Sequence, residues 1–578
     1  MMNDLLKSYS DLPDVWGEGA LFAFSGMDGA TCAASGFVGT LGAAKGSFLF
    51  HTPKRRTLTF AFEGEARVRV ALSDAVAAET AAGELLVTYA SWHTLVGVMP
   101  DKAVCKLVME DGPEAEQQGR FWVSEDKTAP DALVGAGRGR QFSLAYGATV
   151  EEAQKRAQAG LEMNQWEVAA KRLAAFRKLP AITVQDPGLR RLAAKSFSVM
   201  RVNTLSAEGA MRQAWSTPDR VPHKDMWLWD SVFHSLAMDH VDPRLSWELL
   251  KSVLDTQAPD GFIAHQTSVA GKSSNVTQPP LLAWGVWQCY RARKDRPCLE
   301  YALPRLEAYL EWNLKNRDTN HNGLLEWKMH ENARCRCGES GLDNSPRFDS
   351  GAVMDAVDFS AIQAHDMRCA ARIAAEMGMK SRASRWNDRA AAMEAKVNEK
   401  LWDETDGFYY DRKVDGELVK VKAVSGFFPL LMDDVPAARV DKLVRALNDP
   451  ALFATACPVP SVALSEPSFG TDMWRGPMWA NTNFLVILGL ARHGRMQEAR
   501  ALAGKTVAMI RKHYERAGVL FEFFDSKDQT LPERMDRKGP CDPPYNIRKK
   551  VHCIRDYHWT AAVALCLILD PNLAGMAR

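Results

Sequence analysis

Residues 360–378 read SAIQAHDMRCAARIAAEMG, a run of helix formers closed by a glycine, and the same texture returns roughly a dozen times beyond Pro187. LRRLAAKSFSVMRVNTL (189–205), LSWELLKSVLDTQ (245–257), PLLAWGVWQCYRAR (280–293), NTNFLVILGLARHG (481–494) and DYHWTAAVALCLIL (556–569) are further examples. The loops between them are unequal in length, and many are rich in Gly, Pro, Trp and charge. An α-solenoid would need a repeat at a fixed period of about 34 to 47 residues, and none is present. A dozen helices with alternating short connections therefore predict an (α/α)6 toroid over residues 185–578.

The pattern upstream is different. RTLTFAFEG (56–64), ARVRVALSD (66–74), ELLVTYASW (84–92) and QFSLAYG (141–147) alternate with period two and are broken by Gly, Asp and Pro. That predicts an N-terminal antiparallel β-sandwich over 1–148. Between the two, residues 149–184 open with Ala, Glu, Lys and Leu at helical spacing and read as a helical linker.

Composition excludes several classes of function. The 72 Lys and Arg balance 71 Asp and Glu, so neither nucleic acid nor an anionic membrane surface is expected as a partner. No apolar run approaches eighteen residues, and MMNDLLKSYSDLPDVWGEG (1–19) has no secretory signature. The eleven cysteines are scattered and odd in number, the usage of a reducing compartment, so a cytoplasmic protein is expected. Cys335 and Cys337 lack a second Cys or His pair and read as free thiols. The thirteen histidines show no paired metal spacing, and nucleotide-binding glycine fingerprints are missing, so no cofactor is expected to take part in catalysis.

Two features point to sugar. The connection GESGLDNSPRFD (338–349) packs three carboxylates, a Pro and an Arg into twelve positions between helical stretches. The seventeen tryptophans crowd beside acids, as in HKDMWLWDSVF and DMWRGPMW. Flat apolar faces beside planar hydrogen-bonding groups suit a pyranose, which presents C–H patches and hydroxyls together.

WLWDSVFH (227–234), ESGLDNSPRFD (339–349), WRGPMWANTNF (474–484) and FEFFD (521–525) before DYHWTAA (556–562) resemble, in order, the signatures of glycoside hydrolase family 63. The resemblance covers about residues 187–570. It implies inverting hydrolysis of an α-glycosidic bond, with Asp343 as general acid and Glu522 as general base. Glu533 is the reserve base. It further implies that Asp230, Trp229 and Phe233 form the sugar subsite, and that Gln278 is a polar contact before an inner helix. Trp474, Trp479 and Trp559 are candidate stacking faces. Arg347 and Arg475 are expected to bind substrate or to orient Asp343. Glu339 is counted with the substrate contacts, and with Asp349 it is expected to raise the pKa of Asp343. Asn344 and Ser345 replace the acidic and aromatic pair usual after the catalytic Asp, which implies an altered aglycone subsite.

DTNHNGLLEW (318–327) matches the front of a calcium loop through Asp318, Asn320, Asn322, the Leu324 carbonyl and Glu326. Met329 stands where an EF-hand has its last Glu, so a structural calcium site is expected only by resemblance to bacterial family members. The basic run IRKKVHCIR (547–555) reads as a solvated loop. An α-glucosidase acting on a small oligosaccharide or glucosyl conjugate is the leading expectation. A mannosylglycerate- or glucosylglycerate-type hydrolase and a non-catalytic sugar-binding module are the alternatives. A toroidal epimerase would need clustered histidines, which the chain lacks.

Overall fold

The computed structural model describes residues 11–179 and 185–570, together with Met2, Leu6, Lys7 and Tyr9. The end of the expected linker, 180–184, and the end of the expected toroid, 571–578, lie outside the described residues.

Residues 21–147 form two antiparallel sheets. One runs in the order Leu21–Phe22, Gly39–Leu41, Ser47–Phe50, Arg56–Ala61, Val104–Met109. The other has eight strands, with Glu116–Gln118 at one edge and Arg67–Ala71 at the other. Along Arg56–Ala61 burial alternates residue by residue, which sends Leu58 and Phe60 inward to meet Phe48, Phe142 and Leu144.

Two helices follow, α1 (Val150–Leu161) and α2 (Gln165–Ala174). Thr149 caps α1 by accepting the Glu152 N–H at 3.2 Å, while the Glu152 carboxylate accepts the Ala148 N–H at 2.8 Å. The stretch expected as a linker is packed on the larger sheet: Ala153, Ala157 and Leu161 of α1 bury against Val134 and Ala145.

The remaining chain alternates outer and inner elements. The outer helices are α3 (Pro187–Val202), α5 (Pro243–Asp255), α7 (Arg296–Asn316), α9 (Lys380–Lys400), α10 (Ala437–Leu447) and α12 (Met496–Ala517). The inner ones are α4 (Leu228–Met238), α6 (Leu282–Arg293), α8 (Val357–Glu376), a 3-10 helix (Val424–Leu431), α11 (Ala480–Arg492) and α13 (His558–Leu569). Each inner element touches the next, and α13 packs back on α4, so the ring closes. Every residue of α4 is buried, and so is every residue of α13 up to Ile568, as helices buried on all sides must be. The fourth inner element is a 3-10 helix, with Pro429 inside it. It also lies so close to its neighbour that a Cβ on Gly426 would meet the Phe408 ring at 2.2 Å.

Candidate active site

At the N-terminal ends of the inner helices the connecting loops converge on one cavity of about 60 Å³. That is room for roughly four to six waters, a space scaled to one small polar ligand. Trp229 and Asp230 enter it from the first turn of α4, Gln278 from the segment before α6, and Trp479 and Trp559 from the starts of α11 and α13. Trp474 enters from the loop before α11.

Asp343 reaches the cavity on the loop between α7 and α8. Gly341 has φ 72°, and a Cβ there would lie 2.4 Å from the Trp229 ring, so only glycine lets this loop cross the indole. Ser340 then ties the turn, donating to the Cys337 carbonyl at 2.8 Å and accepting the Leu342 N–H at 3.0 Å. Asn344 is buried and spent within the protein. Its Oδ1 accepts the Trp474 N–H at 3.0 Å and its carbonyl accepts from Arg475 at 3.2 Å, locking the Asp343 loop to the Trp474 loop.

Glu522 lies at a bend between the isolated bridges of Phe521 and Phe524, among buried Phe521, Phe523 and Phe524, yet it lines the same cavity as Asp343. The Arg537 fork donates to both of its oxygens, at 2.7 and 3.1 Å, and fixes its orientation. The Ile554 N–H adds a third bond at 3.3 Å.

The cavity walls are aromatic. Trp474 and Trp479 stack at 3.7 Å, and Trp559 stands edge-on to both Trp479 and Trp229. Trp479 spends its indole N–H on the Met473 carbonyl at 2.9 Å. The indole N–H groups of Trp227, Trp474 and Trp559, and Oδ1 of Asp230, are buried without a partner among the described residues. A buried donor or acceptor left unpaired costs about 1–3 kcal/mol, so four of them around one cavity argue for a ligand rich in hydroxyls.

The charges are not those expected from sequence. Asp343 does not sit above the usual carboxylate range. Burial pushes it up, but the Lys538 ammonium 2.5 Å away prevails and holds it below its ordinary value. The neighbours invoked to raise it are elsewhere: Glu339 is forked by Arg317 at 2.7 and 3.1 Å and accepts the Thr277 N–H, while Asp349 is tied to Arg475 at 2.7 and 2.8 Å. It is Asp230 that burial, reinforced by Asp219, Glu522 and Asp343, drives well above its usual range.

Eight of the residues expected from sequence therefore share the cavity: Asp343, Glu522, Trp229, Asp230, Gln278, Trp474, Trp479 and Trp559. Four expected as contacts do not line it. Phe233 backs Trp229 edge-on at 5.7 Å, and Glu339 staples the Asp343 loop to Arg317. Arg347 is buried between Asp358 and Asp411, and Arg475 is spent on Asp349. Glu533, the reserve base, pairs with Arg516 at 2.7 Å away from the cavity. Sequence reasoning missed His223, Trp227, Met473, Arg537, Lys538 and Tyr557, which line the cavity. Trp227 and Tyr557 lie inside the quoted motifs, whereas Arg537 and Lys538 come from a loop with no apolar pattern to fix their direction. The basic run 547–555 is less solvated than expected: Ile547 is buried, Arg548 donates to the Thr52 and Pro53 carbonyls, and Arg555 donates to the Glu18 carbonyl.

The loop 318–326 is closed by its own polar groups. Asp318 accepts the N–H groups of Asn322 and Gly323 at 2.9 and 3.0 Å, and the Asn320 and Asn322 amides donate to Asp355. Among the described residues, no group of three or more His, Cys, Asp or Glu is arranged to hold a metal. One oxygen, Oε1 of Glu326, is buried without a partner among them.

An indole-walled cavity lined by three carboxyl groups, Asp230, Asp343 and Glu522, at the mouth of a closed ring of helices belongs to the toroidal glycoside hydrolases. Residues 222–560 match the family described as mannosylglycerate hydrolase MGH1-like glycoside hydrolase domain. The chain belongs to that family, within glycoside hydrolase family 63. It is 25% identical over 399 residues to a mannosylglycerate hydrolase of Thermus thermophilus, covering 54% of this chain and 92% of that protein. The crystal structure of the GH63 mannosylglycerate hydrolase from another strain of Thermus thermophilus, in complex with glucose, superposes with a TM-score of 0.53 at 25% identity, over 65% of this chain and 99% of that one. An uncharacterised protein of Borreliella burgdorferi is 29% identical over 223 residues, but the match spans only 38% of this chain and 44% of that protein. No helix among the described residues is long and apolar enough to cross a membrane.

Proposed function

We propose that the protein is an inverting hydrolase of a small α-glycoside, with Asp343 as general acid and Glu522 as general base. The observation that carries this reading is that both residues line one cavity in which the indole N–H groups of Trp227, Trp474 and Trp559 and Oδ1 of Asp230 have no partner among the described residues. Asp343 delivers a proton to the glycosidic oxygen as the C1–O bond breaks. Glu522, aimed by Arg537, takes a proton from the water that attacks C1 from the opposite face. Asp230, Gln278 and the unpaired indole N–H groups bind the sugar hydroxyls, and Trp229, Trp474 and Trp559 form the walls.

Between the two substrate classes expected from sequence, a glycoside of a small acid such as glycerate is favoured over a neutral oligosaccharide. The match to mannosylglycerate hydrolases and the Lys538 ammonium in the cavity lining both support an anionic leaving group. We test the reading with α-mannosyl and α-glucosyl glycerate, following the first product by NMR. The β-anomer is expected first. An α-anomer would refute inversion, and Asp343→Asn acting at the wild-type rate would end the acid assignment.

We further propose a structural calcium ion in the loop of Asp318, Asn320, Asn322, Leu324 and Glu326, the unpartnered Glu326 oxygen supplying the reason. Metal analysis and melting after chelation test it: an unchanged melting temperature and no bound calcium remove it. Eleven free thiols support a cytoplasmic location.

A further inference from the structure

Two consecutive residues, Arg537 and Lys538, hold the carboxyl groups of Glu522 and Asp343 respectively, and they hold them differently. Arg537 is buried, makes two bonds to Glu522 and a third to the Lys550 carbonyl at 3.0 Å, and so is fixed. Lys538 is pinned through its backbone, whose N–H donates to Asp472 Oδ1 at 2.8 Å in a left-handed turn of φ 55°. Its side chain is 27% exposed, and besides Asp343 the ammonium's contact among the described residues is the Cys335 sulfur at 3.7 Å. An ammonium on four methylenes can swing away without moving the loop.

A general acid must carry a proton when substrate is bound, and a carboxylate clasped by an ammonium at 2.5 Å does not. We propose that Lys538 is a positioning residue that keeps Asp343 ionised in the empty site. The leaving group of the arriving substrate must draw its ammonium away before Asp343 takes up the proton it donates. The proton comes from solvent to Asp343 and passes to the glycosidic oxygen as the C1–O bond breaks. Water supplies the hydroxyl at C1, and its proton goes to Glu522. Lys538 thus selects substrates whose leaving group can satisfy an ammonium. The proposal rests on the reading of Asp343 as the acid, and it adds a reason why that acid is not poised beforehand.

Lys538 is not the only charge near Asp343. Arg537 on the same loop, His265 before α6, Cys335 on the loop after α7 and Asp230 on α4 also act on it or are acted on by it. Of these, Lys538 alone forms an ion pair with the carboxylate.

The test compares Lys538→Met, Lys538→Arg and Asp343→Asn in the full chain. The carbon-13 carboxyl signal present in the wild type and missing in Asp343→Asn reports the titration of Asp343 without substrate. In Lys538→Met its midpoint is expected to rise by about one pH unit or more, and in Lys538→Arg to stay near the wild-type position. With α-mannosyl glycerate, the basic limb of kcat/KM should move up by the same amount. With α-mannosyl fluoride, whose leaving group needs no proton, no such limb should appear. An unmoved midpoint in Lys538→Met overturns the proposal whatever the activity. An unmoved midpoint together with a silent Asp343→Asn rejects the Lys538 role alone. Full activity of Asp343→Asn on the glycerate rejects the acid assignment and this proposal with it. Should Lys538→Met fail to fold, Lys538→Gln gives the same reading.

Discussion

Replacing Arg347 with Met separates a structural arginine from a substrate contact. The guanidinium lies between two buried carboxylates: Nη1 donates to both Asp411 oxygens at 2.9 Å and to Asp358 Oδ1 at 3.2 Å, and Nη2 donates to Asp358 Oδ2. Met fills much of the volume but leaves two acids facing each other without a cation. Breaking one side of a buried pair costs about 3–5 kcal/mol. Unfolding entropy of roughly 2.1 cal/mol/K per residue over about 390 residues of toroid gives about 0.8 kcal/mol/K, so melting should fall by about 4–6 °C.

The deficit should also depend on pH. Burial already raises Asp411, and Asp358 adds to it while Arg347 opposes it, so removing the arginine raises it further. A group whose folded pKa lies above its unfolded value stabilises at low pH and loses that stability as pH rises through the folded pKa. The variant should therefore be closer to wild type at pH 5 than at pH 8. Melting is read by calorimetry at both values, and KM on α-mannosyl glycerate should stay within about twofold. Unchanged melting with a tenfold rise in KM would refute this account and restore Arg347 to the substrate.

Trp474→Phe removes an indole N–H that has no partner among the described residues, and should lower kcat/KM about two- to twelvefold without lowering the melting temperature. Stability falling while kcat/KM holds would mean the ring serves the core. Gly341→Ala places a Cβ 2.4 Å from the Trp229 ring at a positive φ; about 1–3 kcal/mol of strain and a loss of more than tenfold in kcat are expected from rate and melting measurements on the same sample. Glu533→Gln should leave kcat/KM within about twofold and cost no more than about 1 kcal/mol, since its pair with Arg516 is partly exposed. A collapse of kcat in that variant would move the base assignment from Glu522.

The ring of helices and the identity of the cavity's aromatic walls were legible because each rests on local pattern. Helix-former runs closed by polar or glycine-rich loops, as at α8, mark helices, and a Trp beside an acid in a glycine-marked loop has few uses in a core. What failed was direction. Arg347 and Asp343 stand four positions apart on one loop, yet Arg347 turns to Asp411, 64 residues on, and Asp343 turns to Lys538, 195 residues on (538 minus 343). No periodicity encodes such a choice, because it is made by which buried charge would otherwise lack a partner. The same blindness produced the wrong sign for Asp343. Along the chain Glu339 and Asp349 crowd it, whereas in the fold each is neutralised by an arginine from another segment.

The distant partners follow a logic of their own. Arg537 and Lys538 sit on a loop whose far end is fastened to the sandwich, through Arg548 at the Thr52 and Pro53 carbonyls and Arg555 at the Glu18 carbonyl. Asp556, next along the chain, accepts the Leu21 N–H at 2.8 Å and pairs with Lys195 of α3 at 2.8 Å. None of the described β-domain residues lines the cavity, but the domain holds the strap that holds Asp343 and Glu522. Loosening that strap should then change ionisation in the site before it changes the fold, because the inner ring closes through α13 and α4 without it. Arg548→Ala is the direct probe: the Asp343 titration midpoint should shift towards that of Lys538→Met while melting of the toroid stays in place.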